Sequence, residues 1–70
     1  MPTVTSPMAG TVAHVLVQRG DTVQVGQDVV ILESMKMEIA VQADIGGRVR
    51  AVKVNTGEFV DEGSDLLELE

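Results

Sequence analysis

The chain has no cysteine, tryptophan or tyrosine, and Phe59 is its sole aromatic residue. Without cysteine there are no disulfides to staple a small fold and no thiolates to hold a metal, an absence that fits a reducing compartment. Without aromatic rings, the core of a 70-residue chain has to be aliphatic, and this length is near the lower limit for a self-sufficient core. The longest apolar run of consequence, Val29-Val30-Ile31-Leu32, is far too short to cross a bilayer. No charged start followed by an apolar stretch marks a signal peptide. No membrane association and a cytoplasmic location are therefore expected. Basic residues are also scarce: five Lys and Arg against eleven Asp and Glu give a net charge of −6. Phosphate binding needs a basic face, so nucleic acid is not an expected partner, and the acidity serves solubility.

What is present is a repeat. Displaced by 37 positions, residues 1–33 fall on residues 38–70 without a gap, and eleven of the 33 pairs are identical. Four residues, 34–37, join the two copies and contain one lysine. Apolar residues make up 44 % of the chain, enough for a folded domain. Valine is abundant, helix-favouring runs are missing and glycines recur at regular intervals, so short strands and turns are expected. Each copy reads as a short first strand (3–5 and 40–42) and a glycine turn at Gly10 or Gly46-Gly47. A longer strand follows (11–17 and 48–54), then turns at Gly20-Asp21 or Gly57-Glu58 and at Gly26 or Gly63. A last strand closes the copy (29–33 and 66–70).

In the long strands the apolar residues Val12, Val15 and Val17, repeated as Val49, Val52 and Val54, are spaced three and then two. Strict alternation needs two throughout, so the spacing predicts a β-bulge near Ala13-His14 and another near Arg50-Ala51. In the last strands, Glu68 and Glu70 point outward and Leu67 and Leu69 inward. Val30 and Leu32 match the latter pair, and Ile31 is expected to be partly exposed. Neither copy can bury an aliphatic face alone, but each can bury it against the other. The expected fold is all-β, a single domain over residues 1–70. It should be a flattened barrel or sandwich of two antiparallel sheets related by an approximate two-fold axis. The 34–37 connection should lie at one end and the chain termini at the other.

The connection reads as a hairpin with Met35-Lys36 at its tip, Ser34 facing Met37 and Glu33 facing Glu38. Two-residue hairpins favour Asn-Gly because both tip positions take positive φ, and two glutamates face to face are mildly unfavourable. Stability alone would not select this sequence, and local rules are often broken for function. A lysine at a hairpin tip is ordinarily just solvated, and Met35 and Met37 are ordinarily packing residues. Met-Lys-Met at the midpoint of an internal duplication changes that balance. Elsewhere the sequence offers little chemistry. His14 reads as a surface residue, and Ser6, Ser34 and Ser64 lack His/Asp partners. The carboxylates are too dispersed for a metal site, and Gly46-Gly47 is a turn with no lysine-bearing helix after it. A non-catalytic protein is expected.

The run Glu33-Ser34-Met35-Lys36-Met37-Glu38 resembles the attachment site of biotinyl domains, the biotin carboxyl carriers of biotin-dependent carboxylases, whose hallmark is Met-Lys-Met. Ser6-Pro7-Met8-Ala9-Gly10-Thr11-Val12 and Gly20-Asp21-x-Val23-x-x-Gly26-Gln27 resemble other parts of the same domains, so the likeness covers the whole chain. It implies the biotinyl/lipoyl barrel-sandwich hybrid ("hammerhead") fold, with biotin joined as an amide to the ε-amino group of Lys36 by a biotin protein ligase. Met35 and Met37 would be part of what the ligase recognises, with Glu33, Ser34 and Glu38 as hairpin context. It further implies a cycle in which biotin is carboxylated at a biotin carboxylase with ATP and bicarbonate. A carboxyltransferase then passes the carboxyl group to an acyl-CoA or a keto acid, as in acetyl-CoA carboxylase. The cofactor supplies the chemistry and the protein the presentation.

Two departures qualify the likeness. Ser34 stands where the family most often has alanine, and Glu33-Ser34 is also a feature of lipoyl domains, so a lipoyl carrier on the same lysine is an alternative. An unmodified interaction module is another. The gapless offset leaves no room for the "thumb" insertion of some bacterial carriers, so a thumbless domain is expected. A compact polar carrier of this kind is expected to be monomeric on its own.

Overall fold

The computed structural model describes residues 2–70; Met1, where the first copy of the repeat begins, lies outside the described residues. The eight strands are β1 (Thr3–Thr5), β2 (Gly10–Val15), β3 (Thr22–Val23), β4 (Asp28–Ser34), β5 (Met37–Gln42), β6 (Gly47–Val52), β7 (Phe59–Val60) and β8 (Asp65–Leu69). They form two four-stranded antiparallel sheets, ordered β1-β8-β6-β3 and β5-β4-β2-β7. A shift of 37 positions, forward for strands of the first copy and back for those of the second, turns one sheet into the other. Val4 pairs with Leu67 as Val41 pairs with Val30, and Thr11 pairs with Phe59 as Arg48 pairs with Thr22. The two-fold expected from the repeat is thus present in the register itself.

Each sheet draws strands from both copies, so neither copy owns a sheet. Backbone bonds interlock them further. The Gly57 amide donates to the Val12 carbonyl at 2.7 Å, and its equivalent runs from Gly20 to Val49 at 2.9 Å. Half a chain would leave such groups unpaired and an apolar face in water, which is the physical reason the two copies pack together.

The core is aliphatic throughout. Val4, Val12, Val17, Val23, Val29, Val30 and Leu32 are buried, and so are their equivalents Val41, Val49, Val54, Val60, Leu66, Leu67 and Leu69. Ser6, the one buried polar side chain among the described residues, matches buried Ala43 and donates its hydroxyl to the Met8 carbonyl at 2.6 Å. Both expected bulges are present. The β2–β4 register shifts between Val12 and His14, and the β6–β8 register shifts between Val49 and Ala51.

Three details differ from expectation. First, Val29 and Leu66 are fully buried although simple alternation with Val30 and Leu67 does not place them inside. Asp28 pairs with Gln42 but Val30 with Val41, so Val29 is an extra residue in β4, and Leu66 is its equivalent in β8. These second bulges turn two consecutive side chains into the core. Secondly, Val15 and Val52 are only partly buried and pack against the core margin. Thirdly, Gly10 and Gly47 open strands rather than form turns, the long strands end at Val15 and Val52, and β5 begins at Met37. Two two-residue strands, β3 and β7, complete the sheets.

Four tight turns link these strands. Residues 18–21, 24–27, 55–58 and 61–64 each carry glycine in third place with φ between 87° and 96°, the position a type II turn reserves for glycine. Each also closes on a side chain, as where the Gln24 amide donates to the Gln27 Oε1 at 3.0 Å.

Candidate functional site

Tracing the strands locates the site. β4 starts at Asp28, after the turn at 24–27, and runs to Ser34, where the chain reverses into β5. Seven residues of strand span about 20 Å, in a molecule of 32 × 19 × 18 Å. At the far end Leu69 donates its amide to the Pro2 carbonyl at 2.8 Å, so the two chain ends lie side by side there. The 34–37 hairpin is therefore at the opposite pole from the termini, as the repeat predicts.

The hairpin has the expected register, with Glu33 opposite Glu38 and Ser34 opposite Met37. Met35 and Lys36 are its two tip residues, with φ of 52° and 65°, the only described non-glycine residues at positive φ. Both therefore hold a conformation that L side chains adopt at a cost of order 1–3 kcal/mol each. The base compensates for this strain. Leu32 is fully buried one residue before Glu33, and β2 passes closely beneath. Gly10 allows that passage, since a Cβ there would stand 3.0 Å from the Glu33 carbonyl oxygen. A rigid base and a strained, protruding tip hold Lys36 away from the body of the domain.

Lys36 is exposed, and no ion pair engages its ammonium among the described residues. The other lysine is differently placed: Lys53 Nζ lies 3.7 Å from Glu68 Oε2, on the outer face of the other sheet. Arg50 and Arg48 pair there with Glu68 and Glu70, at 3.5 and 3.8 Å. Glu33 and Glu38 are exposed, opposite one another on one face. Met35 is 92 % exposed and Met37 64 %, so neither is a packing residue. All six residues of the run singled out in the sequence thus belong to one hairpin end.

Sequence reasoning missed two neighbours. Phe59 pairs with Thr11, and Thr11 with Glu33, so Phe59, Thr11, Glu33 and Glu38 form one row across the lysine-bearing sheet. The sole aromatic ring is 62 % exposed in that row. One signal could have found it: the repeat matches Phe59 and Thr11 with Thr22 and Arg48, a paired and polar couple on the other sheet. His14 is exposed opposite Ile31. That is three strand residues below Ser34, about 10 Å, too far to act as a base for Lys36. The chain offers an accessible primary amine and no machinery to activate it. Such an amine suits acylation by another protein that brings both the activated acyl group and the base.

Comparison with known proteins agrees with that chemistry. The biotin/lipoyl family described as "Biotin-requiring enzyme" matches residues 2–69. The chain is 54 % identical over 67 residues to the Biotin/lipoyl attachment protein of Bacillus subtilis (strain 168), covering 96 % of this chain and 92 % of that one. It is 45 % identical over 65 residues to the Biotin carboxyl carrier protein of Streptococcus mutans, covering 93 % of this chain and 50 % of the relative. Among solved structures, a single-chain, multi-domain long-chain acyl-CoA carboxylase superposes with a TM-score of 0.85 at 33 % identity, over 94 % of this chain and 7 % of that chain.

Proposed function

Since the chain belongs to the biotin/lipoyl attachment family and is a biotin carrier domain, we propose that Lys36 is the residue that bears the biotin. The observation that carries this assignment is the tip itself. Lys36 is an unpaired, exposed amine held at positive φ on a two-residue turn, whereas Lys53 is ion-paired on a sheet face. The donor chemistry fits: an amide to biotin needs one primary amine, free of competing contacts and narrow enough in its surroundings to enter another active site. When bound, biotin supplies the ureido nitrogen on which a carboxyl group is carried.

The residues of this chain supply presentation. The Glu33–Glu38 and Ser34–Met37 pairs fix the direction of the hairpin. Gly10 and Leu32 fix its base. Met35 and Met37 offer apolar surface to whichever active site receives the lysine. A biotin protein ligase is the partner that loads it. The loaded domain then serves a multi-component biotin-dependent carboxylase of the acyl-CoA type, moving between a biotin carboxylase and a carboxyltransferase. The long-chain acyl-CoA carboxylase, a single chain that contains a domain of the same fold, supports the acyl-CoA part of this reading. The domain itself works as a monomer.

The name of the Bacillus relative covers both biotin and lipoate, and Glu33-Ser34 precedes the lysine here. Those observations favour one second reading, lipoate on the same Lys36. Intact-mass measurement after co-expression with a biotin ligase and biotin, beside Lys36→Arg, tests the first reading. One biotinoyl group on the wild type and none on the variant is the expected result. An unmodified wild type, followed by a lipoyl adduct with a lipoyl ligase, would replace biotin with lipoate.

A further inference from the structure

The two methionines at the tip make no contribution to folding that their exposure allows. Met35 is 92 % exposed at φ 52°, and Met37 is 64 % exposed at the first position of β5. Met8, by contrast, is partly buried and packs against the core. A thioether in open solvent is readily oxidised, whereas one packed against aliphatic side chains is shielded. The same chain therefore holds two reactive methionines, one on each side of Lys36, and a protected one for reference.

We propose that Met35 and Met37 are a site of reversible sulfoxidation by peroxides, and that the sulfoxide hinders acylation of Lys36. The second clause rests on the carrier function proposed above. In the forward step, a thioether sulfur attacks one peroxide oxygen. The S–O bond forms, the O–O bond breaks, and the departing hydroxide takes the proton left on the sulfur-bound oxygen and leaves as water. Sulfur loses two electrons and the peroxide gains them. Reversal needs a dithiol, which becomes a disulfide as the oxygen departs as water.

The link to function is geometric. Met35 and Met37 flank Lys36 on the hairpin, both exposed, so an active site that takes in the tip meets their side chains. A methionine so covered gives up apolar surface to water-free contact. Its sulfoxide has to give up a strongly hydrated S–O group, and without a matching donor that loss opposes docking. Because the side chains are exposed, the change leaves the core untouched. Sulfoxidation should therefore alter acceptance of the acyl group without altering the stability of the fold, which separates this site from general oxidative damage.

The test treats the unmodified protein with hydrogen peroxide, quenches with catalase, and maps the sulfoxides by peptide mass. Biotin transfer is then followed with a ligase, ATP and biotin, beside untreated protein and treated protein restored by a methionine sulfoxide reductase. Met35 and Met37 should oxidise before Met8, and the urea midpoint should not move. The transfer rate should fall on the order of tenfold and return after reduction. Oxidation of Met8 ahead of the tip residues would overturn the assignment of the site. A rate unchanged with sulfoxide present at Met35 and Met37, or a fall that reduction does not reverse, would overturn the link to acylation. Failure of the untreated protein to accept biotin would instead count against the carrier function, while the order of oxidation would still decide the site.

Discussion

The two poles of this molecule are built on one backbone and carry different chemistry. At the pole of the termini, Val23, paired with Gly47, leads into the turn Gln24-Val25-Gly26-Gln27. At the lysine pole, Val60, paired with Gly10, leads into the equivalent turn Asp61-Glu62-Gly63-Ser64. Both turns are closed by the same backbone bond and a matching side-chain bond. One is uncharged and the other bears two carboxylates. Between the copies the difference is sharper still, because residues 34–37 have no equivalent at all. The core, the bulges and the turns are duplicated, whereas the positive-φ tip and its exposed lysine occur once. Stability is thus a property of the repeat, and the proposed attachment site lies in what the repeat leaves over.

That contrast can be broken in order of effect. The largest effect is expected at the lysines. Lys36→Arg should abolish acylation, whereas Lys53→Arg should leave it unchanged, as intact mass after incubation with ligase and biotin will show. An adduct that survives Lys36→Arg would place the function in the repeated part. Next come the core leucines. Leu32 and Leu69 are equivalent and fully buried, so Leu32→Ala and Leu69→Ala should each cost about 2–5 kcal/mol in urea unfolding. The two losses should be of similar size, because the two sites are equivalent in the repeat and both fully buried. A much larger loss at one of them would mean that the halves do not share stability equally.

Smaller effects sharpen the same point. Replacing the tip by Met35→Asn with Lys36→Gly gives the turn its preferred residues and should raise stability by about 1–2 kcal/mol while removing the proposed attachment site. A loss of stability there would show that Met35 and Lys36 are not strained. Smallest of all is the exchange of turns. Asp61→Gln with Glu62→Val removes both carboxylates from the turn at the lysine pole and should shift unfolding by no more than about 0.5 kcal/mol.

Much of this architecture is legible in the residues because duplication doubles every signal. The spacing of Val12, Val15 and Val17 marks a bulge, and the identical spacing of Val49, Val52 and Val54 marks it again. The hairpin register follows from the four-residue joint, since only Met35-Lys36 at the tip sets Glu33 opposite Glu38. What escaped the sequence lies where pairing partners decide the outcome. Val29 and Leu66 turn inward because a neighbouring strand is one residue shorter at that point, a fact that belongs to the pair and not to β4 or β8 alone. β3 and β7, with two residues each, are too short for any alternation to register. The exposed Phe59 entered the row beside Glu33 through two successive cross-strand pairings, neither visible along the chain.

The most direct test of the account is peptide mass mapping of the protein isolated from its own host. It reads which lysine is modified and with what, without a chosen ligase. A biotinoyl amide on Lys36 and an unmodified Lys53 are the expected result. A bare Lys36 in cells that biotinylate other proteins, or an adduct on Lys53, would contradict it.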